Sequence, residues 1–385
     1  LHNGKLKPAD LHPGLISKTY NELEKGAAEG YGKSWLKIDT ANTKTVQQLK
    51  QNIYRFSGVK TYQQLAEMNS FLVDSTGKIR TYSEFKRKVD VVHQKYNRNY
   101  LQAEYQTAKR SAQAARQWKG FEANKDLFPN LKYMTVDDDR VRHDHEKLHG
   151  IIKPVDHNFW NTHYPPNGWR CRCYVKQTTE ASNSIKVATD PDKGFGLNVG
   201  KTNNIFNENE HPYFTFPAGD ATAVKKAFEN FKLIAPYGKA RFTAANGSKV
   251  FVSPFADVNS RELIGNYKVA IKIAEQLKKT VKLRPHIDGK LIPGAKNPEY
   301  LINGKLADRK SPVTKLKNIL RKASKQNCEV VVIDLHLSTL DIDGAKQQLK
   351  RILKSDQVHS NIKELIIVSK NRKSIIKYNR KELKK

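Results

Sequence analysis

Cysteine is scarce in this chain: there are three in 385 residues. Cys171 and Cys173 stand one residue apart and Cys328 stands alone before an apolar run. That count excludes a disulfide framework, and the close pair is too tight for an ordinary bridge. No apolar run approaches the ~18 residues of a membrane-crossing helix, so no span is expected. The opening stretch, Leu1 to Gly14, is polar and carries prolines. It has none of the apolar core of a secretory leader, so Sec-type export is not expected and synthesis in a reducing cytoplasm is. Acidic residues are also in short supply, 38 against 69 basic ones, for a formal net charge of +31. The imbalance is densest at the end: Val281 to Lys385 holds 25 Lys and Arg against 10 Asp and Glu. Such a field attracts polyanions, nucleic acid first, an anionic membrane or an acidic partner second. A solvated basic surface with no specific ligand is the bland alternative.

Hydrophobic periodicity divides the chain. Residues 1–44 read as a loop-rich segment. From Thr45 the pattern turns helical, with one helix over Val46 to Phe56, a second over Tyr62 to Leu72, and a third of about 35 residues starting at Thr81 or Ser83. Residues 130–175 are dense in His, Asp, Arg, Trp and Pro and show little periodicity. Residues 181–245 read as a connecting region with one short helix, and 246–385 as a mixed α/β domain of order α-β-β-β-α-β-α-β-β from its long helix onward.

The sharpest local signal is Glu299-Tyr300-Leu301-Ile302-Asn303-Gly304-Lys305-Leu306-Ala307-Asp308-Arg309-Lys310. Asn-Gly between apolar runs marks a two-residue hairpin turn, since both positions take positive φ. That turn fixes the register: Ile302 faces Lys305, Leu301 faces Leu306, Tyr300 faces Ala307, and Glu299 faces Asp308. The strand period of two puts Asp308 and Lys310 on one face and Arg309 on the other. Opposed like charges destabilise a sheet, so a retained pair points to a cation. Glu299 and Asp308 are hard oxygen ligands suited to Mg²⁺. Lys310 is placed to orient an attacking water or neutralise a phosphate, and Glu275, on the preceding helix, is a candidate further acid. Ordinary edge charges balanced by Lys305, Arg309 or Lys310 remain the alternative. Asp334 and His336 share a face of the next strand and border the site or simply close the core.

Pro298-Glu299, an eight-residue gap and Asp308-Arg309-Lys310 resemble the motif of the PD-(D/E)XK nuclease superfamily, with Glu in place of the usual first Asp. The run from Asn297 to Pro312, with Phe251 to Phe255 upstream, is similar to the C-terminal toxin domains of contact-dependent inhibition proteins that cleave tRNA. The resemblance covers about 246–385. It implies a metal-dependent endonuclease with Glu299, Asp308, Lys310 and Glu275 at its site, Mg²⁺ as cofactor, and a cognate immunity protein as partner.

The other unusual stretch holds His145 and His149, four apart, then Cys171 and Cys173. Two His and two Cys can hold Zn²⁺, although Cys-x-Cys is shorter than the common spacing. The alternative is a loop-rich core in which His and Arg bond to backbone while Trp160 and Trp169 pack. Asp137 to Gly150, then Phe159 to Cys173, look like the signature of the phage Mu F-like family of minor head, or head-morphogenesis, proteins. This resemblance covers about 45–175, within a head-morphogenesis module taken as 45–180. It implies a place at the portal or inside the head, with portal and capsid proteins as partners and delivery to a recipient cytoplasm along with the DNA. Together the readings describe a multidomain chain: a mostly helical head-protein module with a loop-rich His/Cys/Trp segment, then a mixed α/β nuclease-like toxin domain acting on RNA, tRNA foremost. A structural minor capsid protein with an inert DNA-binding basic tail, or a DNase of the same superfamily, are the alternatives.

Overall fold

A computed structural model describes residues 1–187, 189–257, 260–355 and 359–384. The chain divides into two compact units, one made of 1–35 and 48–228, the other of 36–47 and 229–385.

The first unit is helical. Helix α1 (Pro13–Tyr31) buries Ile16, Tyr20, Leu23, Ala27 and Tyr31 on one face. These recur every three or four residues, so the segment read as loop-rich is in fact an amphipathic helix. Its glycines obscured the pattern, and they have a packing role. A Cβ on Gly30 would lie 1.8 Å from the Lys109 carbonyl oxygen, so only glycine lets α1 approach the later helix α4 this closely. Helix α2 (Thr43–Ser70) is continuous where the sequence reads as two. Ser57-Gly58 looks like a break, but Ser57 Oγ donates to the Ile53 carbonyl, and Gly58 leaves room for the Phe228 ring 2.0 Å from where a Cβ would sit. Thr81 caps α3 (Tyr82–Gln94) in a reciprocal box with Glu84. One π-helical segment, Lys95–Tyr100, joins it to α4 (Leu101–Ala123), giving the long helix the periodicity predicts.

The region expected to be loop-rich contains a small antiparallel sheet of β1 (Asn130–Met134), β2 (Ile152–Pro154) and β3 (Tyr174–Thr178), in the order β2-β1-β3. Its strands are three to five residues long, too short to show a period. Single-turn helices α5 (His143–Glu146), α6 (Phe159–Thr162) and α7 (Val199–Thr202) punctuate the rest. The stretch read as a connector packs into this unit as far as Phe228, and its remainder belongs to the second unit. Val199, Ile205 and Phe206 are buried, and Asn52 Oδ1 accepts from the backbone amides of Ile205 and Phe206, both at 2.9 Å. A polar stretch is thus held by side-chain bonds to backbone, which composition alone does not display. Helix α8 (Ala218–Lys232) closes it.

The second unit is built on a sheet in the order β11-β10-β9-β8-β7-β6-β5-β4. The strands are β4 (Phe242–Thr243), β5 (Lys249–Val252), β6 (Val281–Leu283), β7 (Tyr300–Ile302), β8 (Lys305–Lys310), β9 (Val330–Asp334), β10 (Glu364–Val368) and β11 (Ile375–Asn379). The sheet is mixed: β5–β6, β8–β9 and β9–β10 are parallel and the other neighbours antiparallel. Helix α9 (Ser260–Leu277) covers one face, against Tyr300, Ile302, Ala307, Val330 and Val332. Helices α10 (Lys317–Lys325) and α11 (Ile342–Ser355) cover the other, against Val331, Ile333, Leu365 and Ile367, and α12 (Arg380–Lys384) ends the chain there. This two-sided cover explains why β9 and β10 read as unbroken apolar runs. Segment 36–47 belongs to this unit, with Ile38 packed on its core and Gln47 Nε2 donating to the Ser253 carbonyl. No helix among the described residues is long and apolar enough to cross a membrane.

Candidate functional site

The hairpin has the expected register. Tyr300 pairs with Ala307, Leu301 with Leu306, and Ile302 with Lys305. Asn303 and Gly304 take φ of 45° and 83°, and the Asn303 side chain accepts from the Thr280 amide at 2.8 Å, tying the turn to β6. Continuing the ladder one step brings Glu299 opposite Asp308.

Asp308 is fully buried. Its Oδ2 accepts from Lys310 Nζ at 3.0 Å and from Gln326 Nε2 at 3.0 Å. Its Oδ1 is buried and has no hydrogen-bond partner. Burial pushes the Asp308 carboxyl up from its ordinary value; Lys310 opposes this and Glu262 adds to it. Glu299 is pushed further, to about 7, by burial first and then by the nearby charges of Glu262 and Asp308. Its Oε2 accepts from Asn266 Nδ2 at 2.6 Å. Burial and like charges thus favour the protonated form of Glu299, an effect that a cation would oppose.

The two faces of β8 have separate duties. Arg309 points to the α9 side, where it donates to Asp334 Oδ2 through Nε and Nη2 and to Asn266 Oδ1 through Nη1. With its oxygen held by Arg309, the Asn266 amide turns its nitrogen to Glu299. Arg309 thus orients the Glu299 carboxylate through Asn266. Asp334 also accepts from Arg372, and His336 Nδ1 lies 3.3 Å from it. Burial pushes Asp334 up, but Arg372 and Arg309 outweigh it and hold the carboxyl below its ordinary value. Lys305 serves neither acid; it pairs with Glu364 at 2.8 Å. The edge-charge alternative therefore loses two of its three counterions, since Arg309 is spent on Asp334 and Lys305 on Glu364.

Glu275 is not brought to the pair. It sits in the last turns of α9, exposed and bound to Lys272 Nζ at 2.7 Å. The site lies at the other end of that helix, about 20 Å away at ~1.5 Å per residue. The helix acid that reaches Glu299 and Asp308 electrostatically is Glu262, in the first turn of α9, with Asp257 contributing to Glu299. Position in the sequence favours Glu275, close to the strand that follows the helix. The signal that points to the site is the i, i+4 pair Glu262 and Asn266, which lies toward the end of α9 from which the chain enters.

The His/Cys segment comes together in part. His145, Cys171 and Cys173 present ligand atoms all within 4.8 Å of one another. His149 turns away: its Nδ1 lies 2.7 Å from Thr135 Oγ1 and accepts from the Thr135 amide. Hydrogen bonds from Cys173 and then from His145 hold the Cys171 thiol well below its ordinary value against the opposing effect of burial. Cys173 is pushed up by sharing that hydrogen bond and by burial.

Comparison with known proteins gives two separate matches. Residues 72–176 match the family profile described as Phage Mu protein F like protein, and 296–374 match that of the contact-dependent growth inhibition CdiA C-terminal domain. The putative capsid assembly protein F of Escherichia phage Mu is 40% identical over 77 residues, which are 20% of this chain and 18% of that protein. The Mu-like prophage FluMu F protein of Haemophilus influenzae is 37% identical over 95 residues, 24% of this chain and 22% of that one. The chain thus spans about a fifth of the length of these curated relatives. A solved chain of the CdiA-CT/CdiI toxin and immunity complex from Burkholderia pseudomallei is 23% identical, covering 32% of this chain and 88% of that one, but its TM-score of 0.25 is too low to assign a fold. The chain joins a phage Mu F-like region to a CdiA C-terminal toxin-like domain. The first match includes His145, Cys171 and Cys173; the second includes Glu299, Asp308 and Lys310 but not Glu262.

Proposed function

We propose that this chain is a head-associated phage protein whose C-terminal unit is a Mg²⁺-dependent nuclease of the PD-(D/E)XK type, acting on RNA with tRNA as the first substrate to test. The observation that carries the reading is the buried Asp308 carboxylate, with one oxygen unpartnered, beside Glu299 and Glu262. Three carboxylates in one electrostatic neighbourhood are costly without a cation, and an all-oxygen donor set suits Mg²⁺. Glu299 and Asp308 would hold the ion. When bound, it supplies Lewis-acid polarisation of a phosphoryl oxygen and eases deprotonation of water.

The protein's own groups do the rest. Lys310 stands 3.0 Å from Asp308 Oδ2 and is partly exposed, so it can reach a phosphate oxygen while staying tethered to the acid. Asn266, fixed by Arg309, holds Glu299 in one orientation. The basic surface of Val281 to Lys385 concentrates the substrate backbone. Preference for tRNA follows the similarity to contact-dependent inhibition toxins, and the same similarity supports a cognate immunity protein, acidic to match this field. The Mu F-like region supports docking at the portal or capsid and delivery to a recipient cytoplasm. A second reading, a DNA-neutralising tail with an inert hairpin, is favoured by the +31 charge alone.

The full chain incubated with total tRNA and Mg²⁺ should cleave it, and EDTA should stop cleavage. Asp308→Ala and Lys310→Ala should each lower the rate by at least about a hundredfold, as loss of an electrostatic catalytic group does. Glu275→Ala should leave it unchanged. Full activity in Asp308→Ala would refute the site, and cleavage of DNA but not RNA would move the substrate to the superfamily's DNases.

A further inference from the structure

The Mu F-like region holds a second group of chemistry-bearing residues that the nuclease reading does not use. Cys171 and Cys173 lie two residues apart just before β3, and their sulfurs lie within 4.8 Å of one another. Arg170, ahead of them, takes φ of 60° and redirects the chain, and the Cys171 amide donates to the Gly168 carbonyl at 3.2 Å. Helix α5 then delivers buried His145 to the same spot, its Nδ1 3.6 Å from Cys173 Sγ. Zinc bonds of about 2.3 Å to sulfur and 2.0–2.1 Å to nitrogen, at a tetrahedral angle, put the S···N edge at about 3.5–3.6 Å. The Cys173–His145 edge already has that length, and the Cys171 ligand atom lies within 4.8 Å of both.

We propose that His145, Cys171 and Cys173 bind one zinc ion, with its fourth position open to the adjoining arginine-lined cavity and filled by water. Two sulfurs and an imidazole select zinc over the hard cation suited to Glu299 and Asp308. Two thiolates and a neutral imidazole cancel its charge. The cavity measures about 240 Å³ and is lined by Arg140, Arg142, Arg170 and Arg172, so it admits water or an anion and repels a second cation. One rearrangement is required. Arg142 Nη2 lies 3.0 Å from His145 Nε2, and a metal on Nδ1 makes Nε2 a donor, so Arg142 must swing away. It has somewhere to go, since its Nη1 already donates to Asp192 Oδ2 at 2.6 Å. The ion would clamp α5 to the start of β3, across the segment that carries the Mu F-like match.

The test is metal content of the full chain purified from zinc-supplemented cells, with Co²⁺ substitution as a spectroscopic probe. One zinc per chain and a thiolate-to-cobalt charge-transfer band are expected. His145→Ala, Cys171→Ser and Cys173→Ser should each weaken zinc binding by more than the about 10- to 100-fold that outer partners contribute. His149→Ala and Asp308→Ala should leave it unchanged, which separates this site from the nuclease reading. Should the ligand variants fail to fold, the wild-type chain decides: zinc should shield two thiols from alkylation and chelation should expose them. A chain that takes up no zinc, a Cys171–Cys173 disulfide in reduced preparations, or equal loss in His149→Ala would overturn the proposal.

Discussion

Glu299 shows how a single side chain reports its site. Its carboxyl is raised from 4.5 to about 7, by burial and by the charges of Glu262 and Asp308. A folded-state value above the unfolded one means the native chain keeps a proton that the unfolded chain has lost. The stabilisation is complete below 4.5 and is lost as pH rises through about 7. Thermal melts of the metal-free chain should therefore fall across that window, and Glu299→Gln should flatten the fall. Mg²⁺ should raise the melting temperature more above the window than below it, because the ion binds the ionised form. The pair Glu299 and Asp308 and the reach of Lys310 were legible in the sequence because a two-residue turn leaves no freedom in register. Glu275 lies outside the site, and nearness in sequence to β6 says nothing about which end of a helix meets the carboxylates. The choice between Glu262 and Glu275 is made by the direction in which α9 crosses the sheet, a tertiary fact.

The hairpin and helix α1 mark the two ends of that legibility. Asn303 and Gly304 each take positive φ, which their residue types announce. No atom lies within 4 Å of a Cβ built on Gly304, so Gly304→Ala tests backbone conformation alone. It should cost roughly 1–2 kcal/mol in denaturant unfolding and reduce cleavage in step with the fraction folded. In α1 the glycines are packing devices, and Gly26 and Gly30 against α4 look like loop residues until the partner helix is known. Helix α2 was divided at Ser57-Gly58 for the same reason. The long α3–α4 rod was plain because its cap and its period both lie within the segment. The short strands β1, β2 and β3 offered neither, and the buried stretch around Ile205 is secured by Asn52 from far away in sequence.

The whole chain combines a strong positive field with a phage Mu F-like region and a CdiA C-terminal toxin-like domain. The field explains attraction to a polyanion but not chemistry, and a DNA-neutralising tail would carry the same charge. What distinguishes the two is whether a buried carboxylate beside Lys310 matters to a cell. An inert tail makes Asp308→Ala silent, whereas a nuclease makes it decisive. The most direct measurement is inducible expression of the full chain in a bacterium lacking any immunity protein, with growth and intact tRNA followed together. The account predicts growth arrest accompanied by tRNA fragmentation for the wild-type chain, and neither for Asp308→Ala expressed to the same level. Equal growth and intact RNA with both chains, or equal arrest with both, would contradict it.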